Sequence, residues 1–585
     1  MGQEKYIHCT INGIPCEVVE GSTILEAAQQ IYLKIPTLCK HPDLVATGAC
    51  GICIVRVKGM ASLPRACTTP VEEGMEIITH DEEIVNVRKT VLELILSTHP
   101  NSCLTCGRNQ SCELQQLASD FAIRESAFAP FLPNLPVDRS TGSLIFEFDK
   151  CIKCGRCVYV CQEMQGVWAL SFLNRGMNTR MAPAGDIELA EAPCVRCGQC
   201  SAHCPTGAII ELDETAEVWQ LLHNPDYHVV VQIAPSVRVT VGEEFGFPPG
   251  TNLTGQIYAV LRRLGFDAIF DTNFAADVTI MEEASEFVER FVHDKGILPL
   301  ITSCCPSWVD FMEKMYPDFI PHFSSTKSPQ QILGVLAKTY YSAKKNIDPS
   351  RIKVISIMPC TAKKYELTRS HEMYASGYKD VDIALTTREL ARMIRQSGID
   401  FAKLPPEKAD SILGEYSGAG TAFGYTGGVM EAALRTAQFF LTGSKMPRLE
   451  FAEIRGLKGV KEASLNFNGK EIRVAVAHGL GHVSDVLERV REAKARGEIL
   501  YHFIEVMACP GGCIGGGGQP YGITNEVRKK RIEGLYQDDR SQKVRCSHEN
   551  EEVQELYRSF LEKPLSEKAH QLLHTTYHAR PIYRR

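Results

Sequence analysis

No apolar stretch in the sequence approaches the ~20 residues that a membrane helix needs, so a spanning segment is excluded. Basic blocks are missing and the net charge is −7, which argues against nucleic acid as the main partner. There is no G-x-x-x-x-G-K-[ST], and no G-x-G-x-x-G placed after a strand, so the chain carries no nucleotide fingerprint of its own. Met1-Gly2-Gln3-Glu4-Lys5-Tyr6 leads into alternating residues and a turn rather than a leader-type apolar core. No secretion signal is therefore expected, and the cytoplasm is the expected location. What the sequence does hold is cysteine, 23 in 585 residues. In a large chain without a secretion signal, such cysteines read as metal or catalytic ligands rather than disulfides. With 44% hydrophobic and 23% charged residues the chain is neither disordered nor fibrous. Its length predicts about four domains at roughly 150 residues each.

The cysteines are clustered, and the clusters outline the domains. Tyr6 to Ile11 and Ile14 to Val19 are strand-like runs around Asn12-Gly13, a two-residue hairpin signal. Thr23 and Glu26 form a T-x-x-E capping box that starts a helix through about Ile31. Cys39, Cys50, Cys53 and Cys67 follow, a short pair between two distant cysteines that suits a loop wrapping a [2Fe–2S] cluster; a four-cysteine zinc site is the alternative. A helical stretch, Val85 to Ser97, delivers the chain to His99, Cys103, Cys106 and Cys112. On spacing alone this set suits zinc as well as a [4Fe–4S] cluster with one imidazole ligand, and the neighbouring patterns favour the cluster. Residues 126–142, with Pro130, Pro133 and Pro136, read as an interdomain linker. Beyond it, Cys151, Cys154, Cys157 and Cys161 recur as Cys194, Cys197, Cys200 and Cys204. Both are the C-x2-C-x2-C-x3-C run in which each fourth cysteine ligates the other cluster. Cys151, Cys154, Cys157 and Cys204 are therefore assigned to one [4Fe–4S], and Cys194, Cys197, Cys200 and Cys161 to the next.

From about Thr215 the pattern changes to alternating helices and buried strands, an α/β reading. Strands are predicted at His228–Ile233, Ala268–Asp271, Leu298–Ile301, Lys353–Ile357, Ile472–Ala477 and Tyr501–Val506. Ligand sites in open α/β sheets lie beyond the carboxyl ends of strands. Those ends bring Cys304, Cys305, Cys360, Cys509 and Cys513 to one crevice, so four thiolates could hold a further cubane while a fifth stays free. The glycines around Cys513 let backbone approach a bulky cofactor. Lys363, three residues beyond Cys360, places a cation where a metal centre carries anionic groups.

These residues resemble the [FeFe]-hydrogenases along essentially the whole chain. The likeness rests on Thr302-Ser303-Cys304-Cys305-Pro306-Ser307-Trp308, Met358-Pro359-Cys360-Thr361-Ala362-Lys363-Lys364-Tyr365-Glu366 and Glu505-Val506-Met507-Ala508-Cys509-Pro510-Gly511-Gly512-Cys513. It implies an H-cluster, a [4Fe–4S] cubane joined through one cysteine to a diiron unit bearing CO, cyanide and a dithiolate amine. By position, Cys305, Cys360, Cys509 and Cys513 ligate the cubane, Cys513 bridges, and Cys304 is the free thiol. Pro235, Ser236 and Lys363 look like the groups meeting the cyanides, and Met358 and Met507 like soft packing against the diiron unit. The implied proton path runs from Cys304 through Glu283 and Ser324 to Glu286, the two glutamates being i,i+3 neighbours on a predicted helix. An ordinary thiol pKa of about 8.5 would let Cys304 relay protons either way near neutrality.

The resemblance also implies the architecture. An α/β catalytic domain (214–585), with strand-end loops holding the H-cluster, follows α+β iron–sulfur domains. These are a β-grasp 2Fe–2S domain (1–82), a helical 4Fe–4S domain with one histidine and three cysteines (83–125), the linker 126–142 and a two-[4Fe–4S] ferredoxin-like domain (143–213). One [2Fe–2S] and three [4Fe–4S] clusters would relay electrons for 2H⁺ + 2e⁻ ⇌ H₂. The electron partner is either ferredoxin, for a stand-alone enzyme, or flavin- and NAD(P)-binding subunits of a bifurcating or NAD(P)-linked complex. The carboxyl end, His570-Gln571-Leu572-Leu573-His574-Thr575-Thr576-Tyr577, resembles the latter slightly more. The first 210 residues also resemble the large iron–sulfur subunit of respiratory complex I, which lacks the three later cysteine signatures. Relatives that assemble iron–sulfur proteins should lack the Cys304 and Lys363 context.

Overall fold

The computed structural model describes residues 5–132, 134–467 and 469–583. The opening Met1–Glu4 stretch and Pro133 of the connecting segment lie outside the described residues. Among the described residues no helix is long and apolar enough to cross a membrane.

The amino-terminal hairpin forms with the expected bounds, Tyr6–Ile11 against Ile14–Val19, in a register that pairs Ile11 with Ile14. Asn12 and Gly13 take the positive φ values, 52° and 80°, that this two-residue turn demands. The hairpin lies in a four-stranded sheet with Met75–Ile78 and Arg56–Val57. Both halves of the Thr23–Glu26 capping box are made, starting the helix Ile24–Gln30. The next helix begins three residues before the predicted one, at Glu82, because the Asp81 side chain caps it by accepting from Ile84 N.

Residues 126–142 are not wholly a connection, since Val137–Asp138 pairs with Leu144–Glu147 and joins a three-stranded sheet with Ile209–Glu211. The short helices Arg156–Tyr159 and Gln199–His203 complete this region. Arg156 locks the amino-terminal parts together. It donates to both Glu113 carboxylate oxygens, at 2.7 and 2.8 Å, and to the Lys40 carbonyl at 2.9 Å.

The α/β half holds two four-stranded sheets. The first is all parallel, in the order Ala268–Asp271, His228–Ile233, Ile352–Met358, Ile383–Thr386. The second runs Leu300–Ile301, Phe503–Met507, Lys470–His478, Val460–Phe467, with only the last pair antiparallel. Between the sheets passes the 21-residue helix Thr272–Val292, N-capped by Asp271. It is buried on nearly every side for its first four turns, because Phe274, Ala275, Ala276, Val278 and Ile280 give it no single polar face.

Candidate active site

Strands from both sheets end at one cavity. Its wall includes Cys304 and Cys305 beyond Ile301, Cys360 beyond Met358, and Cys509 and Cys513 beyond Met507, so the five late thiols do converge. Pro235, Met358, Lys363 and Met507 line this cavity as well. Cys305 sits at the N-cap of the helix Pro306–Met315, whose Pro at N1 needs no hydrogen-bond acceptor. Gly512 is needed at the floor. Its φ is 91°, and a Cβ there would fall 2.6 Å from Thr426 N and 2.7 Å from Met507 Sδ.

The donor set fits a metal centre. All 23 cysteines are free thiols. Burial pushes the thiols of Cys305, Cys360 and Cys513 up, Cys360 to about 12, and the single cation that reaches all three, Lys363, offsets only part of this. Four thiolates here would require a bound cation, which an iron cluster provides. Lys363 Nζ donates to the Cys304 carbonyl at 3.1 Å and to Glu366 at 2.8 Å. Burial opposes its charge, but Glu366 prevails and holds its pKa above the ordinary lysine value.

Cys304 departs from the ordinary thiol expected of it. Burial, then the neighbouring Glu283, raise its pKa well above the usual value, so it is a neutral thiol at pH 7. Glu283 is fully buried, and neither carboxylate oxygen has a hydrogen-bond partner among the described residues. Burial and the adjacent Glu286 charge push it up to about 8. Buried Ser324 donates to Glu286 at 3.0 Å, and Arg290 Nη2 donates to the other Glu286 oxygen at 2.6 Å. Cys304 lines the cavity and feels the charge of fully buried Glu283, while Glu286, the acceptor for Ser324, is only partly buried.

Four further sites precede the crevice. Cys39 contacts Cys50 and Cys67, and Cys53 contacts Cys67. His99, Cys103, Cys106 and Cys112 line one small cavity, where His99 Nδ1 is buried with no hydrogen-bond partner among the described residues. Cys151, Cys154, Cys157 and Cys204 line another, and Cys161, Cys194, Cys197 and Cys200 a third, which is the crossed grouping read from the repeat. The last of these abuts the crevice. Gln199 Nε2 donates to the Gly515 carbonyl at 2.9 Å, and a Cβ on Gly517 would lie 2.4 Å from the Cys197 carbonyl.

Several residues at the site carried no sequence signal. Gln330 lines the cavity and donates to Glu366 at 2.9 Å, and Gln519 joins Ser236 to Cys513. An isolated amide in a sequence looks the same whether solvated or buried. Glu366 could have been found, being i+3 from Lys363 at the end of the second cysteine signature.

Thiol-lined cavities leading to a metal-competent crevice define an iron–sulfur oxidoreductase. Known families match in the same order along the chain: a 2Fe-2S iron-sulfur cluster binding domain at 4–82, the NADH-ubiquinone oxidoreductase-G iron-sulfur binding region at 88–127 and a 4Fe-4S dicluster domain at 150–208. The carboxyl-terminal domain of the iron only hydrogenase large subunit matches 227–517, and the iron hydrogenase small subunit matches 525–580. An NADP-reducing hydrogenase subunit HndD from Solidesulfovibrio fructosivorans is 48% identical over 583 residues, covering 98% of each chain. Iron hydrogenase 1 of Clostridium pasteurianum is 40% identical over 97% of this chain and 99% of its own. The structure of apo [FeFe]-hydrogenase HydA1 from Chlamydomonas reinhardtii, in a cysteine-to-histidine variant, superposes with a TM-score of 0.56 at 39% identity, covering 63% of this chain and all of that one. The chain belongs to the [FeFe]-hydrogenases, as a large subunit with amino-terminal iron–sulfur domains.

Proposed function

We propose that this iron hydrogenase catalyses 2H⁺ + 2e⁻ ⇌ H₂ at an H-cluster held by Cys305, Cys360, Cys509 and Cys513, with Cys513 bridging to the diiron unit. The single observation that carries this is the meeting of five late thiols at one cavity with Lys363, Met358 and Met507 in its wall. When bound, the diiron group supplies the metal-centred redox chemistry; the chain supplies enclosure, orientation and proton transfer. Pro235, Ser236 and Lys363 would meet the cyanides of such a group, and Met358 and Met507 would give it adaptable apolar contact. Cys304 passes protons to Glu283, and Ser324 carries them on to Glu286. Burial leaves both Cys304 and Glu283 protonated at pH 7, so each can give up a proton and be refilled without stranding a charge in the interior.

Electrons come through one [2Fe–2S] cluster on Cys39, Cys50, Cys53 and Cys67, of the β-grasp type, and three [4Fe–4S] clusters. The first of the three includes His99, with Cys103, Cys106 and Cys112; the other two are the crossed ferredoxin-like pair. This keeps the division at 1–82, 83–125, 143–213 and 214–585, with the connection 126–142 partly absorbed into the ferredoxin-like sheet. We place the enzyme in the cytoplasm, as the catalytic member of an NAD(P)-linked or bifurcating complex with flavin- and NAD(P)-binding partners. Support for that comes from the NADP-reducing name of the 48%-identical relative and from the lack of a nucleotide fingerprint here.

Infrared spectroscopy of the purified, matured protein tests the chemistry: bands of metal-bound CO and cyanide are expected, and their absence from a protein holding its full iron refutes it. Co-purification of a flavoprotein tests the partner. A solitary chain that exchanges electrons directly with ferredoxin would replace the complex with a stand-alone enzyme.

A further inference from the structure

Gln519 follows the glycine run after Cys513 and is 1% exposed. Its Nε2 lies 3.1 Å from the Cys513 carbonyl oxygen and 3.1 Å from Ser236 Oγ, while its Oε1 accepts from Thr387 Oγ at 2.9 Å. The directions of these bonds are fixed by elimination. A carbonyl oxygen only accepts, so the end of the amide facing Cys513 is the NH₂. An NH₂ only donates, so Ser236 Oγ accepts from it, and the hydroxyl proton of Ser236 is turned elsewhere. Ser236 is fully buried, and no protein acceptor for that proton exists among the described residues. A buried donor left unpaired is costly, so the arrangement calls for an acceptor beside Pro235 and Cys513, in the cavity wall.

The loop that carries this amide is itself anchored. Arg388 Nη1 donates to the Gln519 main-chain carbonyl at 2.6 Å, and Arg388 Nη2 donates to that of Gly517 at 2.9 Å. Arg388 is in turn held by buried Glu211.

We propose that Gln519 is a positioning residue of the catalytic site. It ties the loop of the bridging cysteine to the 235–236 turn, and by donating to Ser236 it turns the serine O–H toward an anionic ligand of the bound group. This rests on the H-cluster reading, in which that ligand is a cyanide.

The test is infrared spectroscopy of the matured holoenzyme as wild type, Ser236→Ala, Gln519→Glu and the double variant, with iron content measured in each. A carboxylate at 519 accepts instead of donating, so the Ser236 hydroxyl reverses toward it. We expect Gln519→Glu to move the same cyanide band, in the same direction, as Ser236→Ala, and the double variant to add no further shift to that band. Wild-type cyanide frequencies in Gln519→Glu, alongside a shifted band in Ser236→Ala, would overturn the proposal. If Gln519→Glu fails to hold the diiron group, Gln519→Met, which removes the donor without adding charge, takes its place. Loss of the CO and cyanide bands in both, with the amino-terminal clusters intact, would overturn it in favour of a purely structural glutamine. Absence of these bands from wild type refutes the H-cluster reading itself, so the two failures are distinguishable.

Discussion

The four amino-terminal sites and the crevice are assembled by opposite means. Each amino-terminal site takes its ligands from one short motif, or from two copies of one motif that exchange a cysteine, and closes around them. The crevice takes its thiols one or two at a time from strand ends in two different sheets, more than 200 residues apart from Cys304 to Cys513, and leaves room beyond them. A cluster that only passes electrons needs nothing except its ligands, and local spacing can specify those. A site that also moves protons and admits a gas needs a cavity wall, and only tertiary topology builds one.

That contrast is broken most sharply by deleting one thiol of each kind. Cys53→Ala should abolish the [2Fe–2S] electron-paramagnetic signal while the other clusters and the CO and cyanide bands survive. Cys360→Ala should abolish the CO and cyanide bands and all hydrogen activity, with the amino-terminal signals unchanged. Loss of every cluster in either variant would show that the two regions do not assemble independently.

The free thiol marks the next distinction. Cys304→Ser keeps all four cubane ligands, so iron content and infrared bands should stay near wild type while turnover falls by ~10²–10⁴, the usual contribution of a positioned proton-transfer group. Near-normal turnover would remove Cys304 from the relay. Glu283→Gln should lose activity on a similar scale, and its pH profile is more telling. Glu283 titrates at about 8, so in the wild type the relay carboxyl carries its proton below that pH and is an anion above it. Hydrogen evolution driven by a chemical reductant should therefore decline as pH rises through about 8. Glu283→Gln, with nothing to titrate, should be slow at every pH and lack that limb, while Glu283→Asp should retain one. A limb near pH 8 that survives in Glu283→Gln would assign it to another group.

The same contrast governs what could be read from the sequence. The hairpin at Asn12-Gly13, the capping box and the crossed cysteine repeat are local signals, and the structure shows each where its residues predict it. Six strands of the α/β half were legible as buried runs. Two were not. One is Ile383–Thr386, which leads into the helix Thr387–Ser397. Val460–Phe467 hides its alternation because an inward position holds Lys461, whose Nζ donates to the Thr426 and Gly456 carbonyls. The division into two sheets was also invisible, since strands buried on both faces carry no mark of which neighbour they pair with. At the site, the thiols and Lys363 stood out by residue type, whereas Gln330 and Gln519 did not. The raised pKa of Cys304 followed from burial, which no spacing reveals.

The smallest effect lies where the carboxyl-terminal stretch meets the proton path. His574 bridges to Thr326, Thr575 N donates to the Ser325 carbonyl at 2.8 Å, and Tyr577 Oη donates to the Ser324 carbonyl at 2.9 Å. Residues 573–577 therefore act as a strap over the loop that carries Ser324. Tyr577→Phe should leave the infrared bands and cluster signals unchanged. It removes one neutral hydrogen bond, worth about 1 kcal/mol, while the ring keeps its edge contact with Phe323. Looser placement of Ser324 should then slow turnover about fivefold where proton transfer limits it, with a larger H₂O/D₂O rate ratio than wild type. An effect as large as that of Cys304→Ser would mean that the strap holds more than the serine. Unchanged turnover and isotope ratio would mean that Ser324 keeps its place without the Tyr577 hydrogen bond.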